Sequence, residues 1–256
     1  MKILIINPNT SVSITERIRH TAEQYVSHET LIEVVNVSFG STAIEGHLDG
    51  AIAQIAVLEK LIEHINSYDA AVIACAWDEG LWAAREILEV PVVGIGEAAF
   101  HIACLIGYKF SVITTGGAKD VSITWDLIRR YGLESRCASV QVLPVSVLGV
   151  LDEDITILVE KAVEDAVGVY GADVICFGCA SMTGMIDKLI LGNIKVPIID
   201  GIKEGVLLAE ILCRAGLKTS KVGMFSRPTL NIFNGQPNMV NLKNWYTKHI
   251  GLEKKE

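Results

Sequence analysis

Two halves of this chain carry the same landmarks in the same order, and this repeat limits the possible folds more than any other feature. Lys2-Ile-Leu-Ile-Ile-Asn7 matches Lys109-Phe-Ser-Val-Ile-Thr114 at an offset of 107 residues. Asp69 and Cys75 match Asp173 and Cys179 at an offset of 104. Val90-Pro-Val-Val-Gly94 matches Val196-Pro-Ile-Ile-Asp200 at an offset of 106. Each Val-Pro segment leads into an Ala/Leu-rich helical pattern, Glu97–Ile106 or Glu204–Ala215. A glycine and a lysine-led apolar run follow each, starting at Lys109 and Lys221.

Apolar runs alternate with 3.6-residue patterns along the whole chain. Strands are expected at Ile3–Ile6, Ile32–Val37, Ala70–Ala74, Val92–Gly94, Phe110–Thr114, Val140–Pro144, Val174–Phe177, Ile198–Ile199 and Val222–Phe225. Helical periodicity marks Ile14–Val26, Ala51–Ile65 and Asp154–Tyr170, with Ser13 and Glu16 spaced as a capping box. Such alternation predicts parallel sheets with right-handed crossovers. The expected fold is α/β, with two pseudosymmetric lobes, each a small parallel sheet flanked by helices. Residues 1–96 plus 205–256 would form one lobe and residues 97–204 the other, with the active site in the cleft between them.

Bulk properties narrow the function. A net charge of −8 and a pI near 5.3 argue against nucleic acid as a partner. Mean hydropathy is +0.40, yet no apolar run reaches the ~18–20 residues of a membrane span. The opening apolar run meets Asn7-Pro8 without a cleavage site, so a cytoplasmic protein is expected. Six cysteines in 256 residues do not suggest a disulfide scaffold.

Two of those cysteines stand out because the repeat pairs them. Cys75 ends the run Asp69-Ala-Ala-Val-Ile-Ala-Cys, and Cys179 ends Asp173-Val-Ile-Cys-Phe-Gly-Cys. A thiol between a strand and a helix start feels the positive end of the helix dipole, which favours thiolate. Two thiols facing each other across a cleft suit inversion of a stereocentre. One, as thiolate, removes a proton from carbon, and the other returns a proton to the opposite face, without metal or organic cofactor. A single cysteine at a strand end is more often a small buried hydrophobe. Cys176 and Cys179 also form a Cys-x-x-Cys, but the repeat sets Cys176 opposite Val72, inside a strand. Zinc is disfavoured because there is no second Cys-x-x-Cys and no histidine at ligand spacing.

A rival of another class comes from Gly94-Ile-Gly-Glu-Ala-Ala99, which fits the Gly-x-Gly-x-x-Ala pattern of an NAD-binding oxidoreductase. Its strand is the fourth of the repeat instead of the first, and the second half lacks the pattern. A non-catalytic two-lobed binding protein would not need matched thiols. Glu45 and His47 could gate a cleft or sit in a solvated loop. His101 reads as structural, and Asp78 as a cap of the helix that follows it.

Five segments in the right order resemble the hydantoin racemases of the Asp/Glu/hydantoin racemase superfamily, from residue 1 to about Pro228. They are Ile6-Asn-Pro-Asn-Thr-Ser11, Ala43–Ala53, Ala74–Glu86, Pro91–Ala103 and Phe177-Gly-Cys-Ala-Ser-Met182. The resemblance implies a cofactor-independent isomerase with one catalytic cysteine per lobe, Cys75 and Cys179, acting on a small molecule and forming a homo-oligomer. It also implies that Asn7, Pro8, Asn9 and Thr10 line the substrate cleft, with Thr114 and Thr115 acting from the other side. Backbone N–H groups of Ala76, Trp77, Ala180 and Ser181 would stabilise the enolate oxygen.

Two segments depart from the family pattern beside the catalytic positions. Ala76-Trp-Asp-Glu-Gly80 replaces Phe-Gly-Asp-Pro-Gly, and Gly178-Cys-Ala-Ser-Met182 replaces Gly-Cys-Ala-Gly-Met. The expected substrates are 5-substituted hydantoins or allantoin, then aspartate or glutamate; a maleate-type cis–trans isomerase is a further alternative.

Overall fold

The structure, a computed structural model, describes residues 1–152, 154–186, 189 and 194–229. The polar tail beyond Thr229 lies outside the described residues. Strands β1 (Lys2–Asn7), β2 (Leu31–Asn36), β3 (Ala70–Ile73) and β4 (Val92–Gly94) form one sheet in the order β2-β1-β3-β4. Strands β5 (Phe110–Thr115), β6 (Cys137–Leu143), β7 (Val174–Phe177) and β8 (Ile198–Ile199) form a second in the order β6-β5-β7-β8. Every described pairing is parallel, and the second order is the first shifted by four strands. The expected two-lobed α/β fold is what the chain forms.

Helices cover both faces of each sheet, which is why the strands read as unbroken apolar runs. Side chains alternate across β1: Ile3 and Ile5 join the core with Ile14, Ile18 and Val206, while Leu4 and Ile6 face Val57, Leu61 and Leu81. The first face is covered by α1 (Val12–Tyr25) and α8 (Ile202–Arg214), the second by α2 (His47–Glu63) and α3 (Leu81–Ile87). The second sheet packs α7 (Thr156–Gly168) on one face. On the other it packs α4 (Ile95–Ile106) and α5 (Ala118–Arg130). A short α6 (Gly149–Asp152) precedes α7. Thus α8, late in the chain, returns to the first sheet. No described helix is long and apolar enough to cross a membrane.

The repeated aspartates Asp69 and Asp173 are structural. Asp69 accepts from the Lys2 N–H at 2.7 Å, and Asp173 accepts from the Lys109 N–H at 2.9 Å. Each carboxylate ties the start of its sheet's first strand to the start of its third.

Two local expectations change. The cap of α1 is Ser11, whose Oγ accepts from Ile14 N at 3.3 Å, while Glu16 pairs with Arg19. Ser13 and Glu16 sit inside the helix, two residues late for the box. Val222–Phe225 is no strand: Gly223–Phe225 forms a 3₁₀ turn with Gly223 at φ +78°. Its counterpart at Lys109 begins the second sheet, and among the described residues there is no third sheet for Lys221 to begin. The Lys221 ammonium instead binds the Arg85 and Glu86 carbonyls at the end of α3.

Phe100 of α4 stacks on Phe110 of β5 with ring centroids 5.4 Å apart, both fully buried. Phe100→Ala is therefore expected to lower stability by about 3–5 kcal/mol, read as a shift of the urea midpoint. An unchanged midpoint would mean that α4 is not held by this contact.

Candidate active site

The carboxyl ends of both sheets face one cleft of about 450 Å³, including its open mouth. Its walls bring together Cys75 with Ala76 and Trp77 from the end of β3, and Gly178 to Ser181 from the end of β7. Asn9 joins from the loop after β1, and Thr114 and Thr115 from the end of β5. The pseudosymmetric strands therefore deliver matched loops to the two sides of one space. The Cys179 sulfur is close enough to add to the upward push on the Cys75 thiol. All six cysteines are free, and Cys176 is fully buried with its thiol directed to the Ala99 carbonyl, so it forms no redox pair with Cys179.

Of the four residues Asn7 to Thr10, only Asn9 lies on the described cleft wall. Asn7 is spent inside the loop: its Nδ2 donates to Asn9 Oδ1 at 2.9 Å, Thr15 Oγ1 at 3.0 Å and Ser11 O at 3.2 Å. The Thr10 hydroxyl donates to the Ser41 carbonyl at 3.2 Å, and Pro8 is buried. Asn9 Oδ1 also accepts from Ser11 N, which leaves its NH₂ to face a ligand. Thr114 directs its hydroxyl to the Gly178 carbonyl at 2.9 Å, fixing the approach to Cys179. A Cβ on Gly178 would press on Val112 and Thr114, so glycine is needed there.

Further wall residues were not apparent from sequence. Ile14, Ile44, Asp120 and Val147 complete the lining. They arrive from α1, the loop before α2, α5 and the loop after β6, elements with no local signal of a site. Glu45 spans the cleft rim, accepting from the Val147 N–H at 3.1 Å, which holds the 43–47 loop against the other lobe. Trp77 crosses the same gap and donates from Nε1 to Thr124 Oγ1 at 3.2 Å. His101 is exposed, its Nδ1 on the Glu97 carbonyl at 2.8 Å.

A buried carboxylate clips the loop after each cysteine to a helix start. Asp78, held at φ +53°, accepts from Gly96 N at 3.0 Å, Glu97 N at 2.7 Å and the Tyr131 hydroxyl at 2.6 Å. It therefore caps α4, not the α3 that follows it. Asp200 accepts from Thr183 Oγ1 at 2.5 Å, Gly184 N at 2.9 Å and Ile202 N at 3.2 Å, tying the loop after Cys179 to α8. In the repeat Asp200 stands opposite Gly94, where a Cβ would fall within the Asp78 carboxylate. The same pocket is filled by a carboxylate from the loop in one lobe and from the strand end in the other. Gly94 and Gly96 are accordingly small to admit Asp78, and the α4 N–H groups a pyrophosphate would need are occupied.

Electrostatics around the first thiol run against the dipole expectation. Burial, then the nearby Glu79 carboxylate, push the Cys75 thiol up, with Asp78 adding to this and a hydrogen bond from the Trp77 N–H opposing it. The α3 helix starts only at Leu81, too far along the chain to hold a thiolate at Cys75. Among the described residues lining the cleft there is no Lys, Arg or His, and Asp120 carries the one formal charge. No group of described side chains is arranged to hold a metal ion.

A two-lobed α/β chain with matched strand-end thiols in its cleft falls into a defined class. The family model for Asp/Glu/Hydantoin racemase matches residues 3–209, and the chain belongs to that family. It is 35% identical to a hydantoin racemase from Paenarthrobacter aurescens, over 90% of this chain and 98% of that one. It is 37% identical to a hydantoin racemase from Rhizobium meliloti, over 92% and 98%. An allantoin racemase from Klebsiella pneumoniae superposes with a TM-score of 0.86 at 36% identity, covering 92% of this chain and 97% of that one.

Burial raises the Asp78 carboxyl to about 7, outweighing the hydrogen bonds it accepts. An unfolded aspartate ionises near its ordinary value of about 3.9, whereas the folded one stays protonated until about 7. Its contribution to stability is thus complete below the unfolded value and is lost as pH rises through the folded one. The chain is expected to lose on the order of a few kcal/mol from this site between about pH 4 and 7. Asp78→Asn should remove that slope, measured as urea midpoint against pH. An unaltered slope would place the titration elsewhere.

Proposed function

We propose that this chain is a cofactor-independent racemase that inverts a stereocentre next to a carbonyl in a neutral ring, of the 5-substituted hydantoin or allantoin type. Cys75 and Cys179 exchange the proton from opposite faces. The observation that carries this is the single cleft holding both thiols, with Asp120 as its only described charge. A ring rich in N–H donors and amide carbonyls finds complementary groups there: the Asp120 carboxylate, the Asn9 amide and the backbone N–H groups of Ala76, Trp77, Ala180 and Ser181. The apolar side chains of Ile14, Ile44, Trp77 and Val147 exclude water from the ring.

The neutral ring carbonyl beside the carbon acidifies its proton more than the carboxylate of a free amino acid does, so the thiolate has less to accomplish than with a free amino acid. The electron pair left by the proton moves onto a carbonyl oxygen, where strand-end N–H groups receive it. Aspartate, glutamate and maleate each bring two carboxylates. They would meet Asp120 without a facing cation, which disfavours the amino-acid racemase and cis–trans isomerase alternatives. The lobes divide in this reading as residues 1–96 with the segment from 205, and residues 97–204, supported by the packing of α8 on the first sheet.

The test is α-proton exchange in D₂O with single-enantiomer 5-substituted hydantoins, allantoin, aspartate, glutamate and maleate. Deuterium uptake with loss of optical rotation is expected for the rings. Cys75→Ser and Cys179→Ser should each lower racemisation by about 10²–10⁴-fold. Exchange confined to the free acids would overturn the substrate class, and full activity in either serine variant would overturn the two-thiol mechanism.

A further inference from the structure

The two lobes treat their cysteines differently. The repeat sets Trp77 opposite Ser181, each two residues after its cysteine. In lobe 1 the indole N–H turns away to Thr124, and the Cys75 sulfur receives the Trp77 backbone N–H, with Glu79 and Asp78 close by. In lobe 2 the Ser181 hydroxyl lies 3.1 Å from the Cys179 sulfur. Ser181 is buried at 1% exposure, and Cys179 is its hydroxyl's one partner among the described residues. Its backbone is fixed in the 3₁₀ turn Ala180–Met182, and its carbonyl accepts from Arg17 Nη1 at 2.8 Å.

We propose that Ser181 is a positioning residue whose hydroxyl donates to the Cys179 sulfur and holds it as the resting thiolate, while Cys75 stands protonated across the cleft. This rests on the two-thiol mechanism proposed above. Either atom of the pair can donate, but O–H is the stronger donor and a thiolate the stronger acceptor, so the contact favours the charged sulfur. The charged groups around Cys179 are Arg17 from α1, behind the Ser181 carbonyl, and Asp120 from α5 on the cleft wall. Asp200 is engaged with Thr183, Gly184 and Ile202. Around Cys75 the main charged neighbour is the Glu79 carboxylate, and it opposes a second thiolate.

In turnover the Cα–H bond breaks and an S–H bond forms on Cys179, while the electron pair enters the ring carbonyl as an enolate. The Cys75 S–H bond then breaks as its proton reaches the other face and the carbonyl re-forms. Cys179 is left as thiol and Cys75 as thiolate, and a substrate of opposite hand, or solvent exchange, restores the resting pair. Ser181 keeps its proton throughout.

Alkylation by iodoacetamide across about pH 5–10, read cysteine by cysteine through peptide mass spectrometry, tests this without any substrate. In the wild type Cys179 should react faster than Cys75 at neutral pH. Ser181→Ala should move the Cys179 midpoint up by about one unit, a roughly tenfold slower reaction at neutral pH, with the Cys75 profile unchanged. Ser181→Thr should restore it. The acidic limb of kcat/KM should move with the Cys179 midpoint in Ser181→Ala. An unmoved Cys179 profile, or a more reactive Cys75 at neutral pH, would overturn the proposal. Because alkylation needs no turnover, the role of the hydroxyl is decided separately from the D₂O exchange.

Discussion

Two buried carboxylates fix the geometry on which the cleft depends. A cysteine at the end of a parallel strand sits where regular pairing stops, and the loop beyond it must satisfy its own backbone groups. Asp78 does this in one lobe by reaching from the loop to the N-terminus of α4, and Asp200 does it in the other by reaching from the strand end to the loop. Both also cover N–H groups that a helix start leaves unpaired. Each loop is thereby tied to a helix packed on a sheet, so the two sulfurs are placed by the cores of their lobes.

The symmetry of the scaffold stops at the chemistry. Sheet order, the Asp69 and Asp173 clips and the strand-end thiols repeat faithfully, but the second residue after each cysteine does not. Trp77 fills the cleft wall and bridges to Thr124, whereas the Ser181 hydroxyl lies within hydrogen-bond reach of the Cys179 sulfur. Burial and the Glu79 carboxylate add to the difference by disfavouring charge on Cys75. In the two-thiol mechanism proposed above, unlike thiols are an advantage, since one has to be charged while the other holds a proton.

The glycine pattern at 94–99 shows how one sequence signal carries two physical causes. Glycines at a strand-to-helix turn allow a phosphate to approach the helix start, and they allow a carboxylate to do so equally well. Here the anion is supplied by the chain itself, because Asp78 occupies the space that side chains at Gly94 and Gly96 would take. Sequence spacing could not separate the two, since Asp78 lies 18 residues away from its Gly96 partner.

The sequence by itself determined the two-sheet architecture, seven of its strands closely and the pairing of Cys75 with Cys179, because a duplicated apolar rhythm can only be buried in two like sheets. It also pointed to the loop after β1, though of that loop only Asn9 reaches the described wall, its neighbours being consumed in local hydrogen bonds that polarity alone does not reveal. The tertiary structure decided the rest of the site. Ile44, Asp120 and Val147 meet at the cleft from elements far apart in the chain, and the partners of Asp78 and Ser181 depend on which loops the folded cores bring within hydrogen-bond reach. Periodicity encodes which face of an element is buried; it does not encode which distant side chain will lie against it.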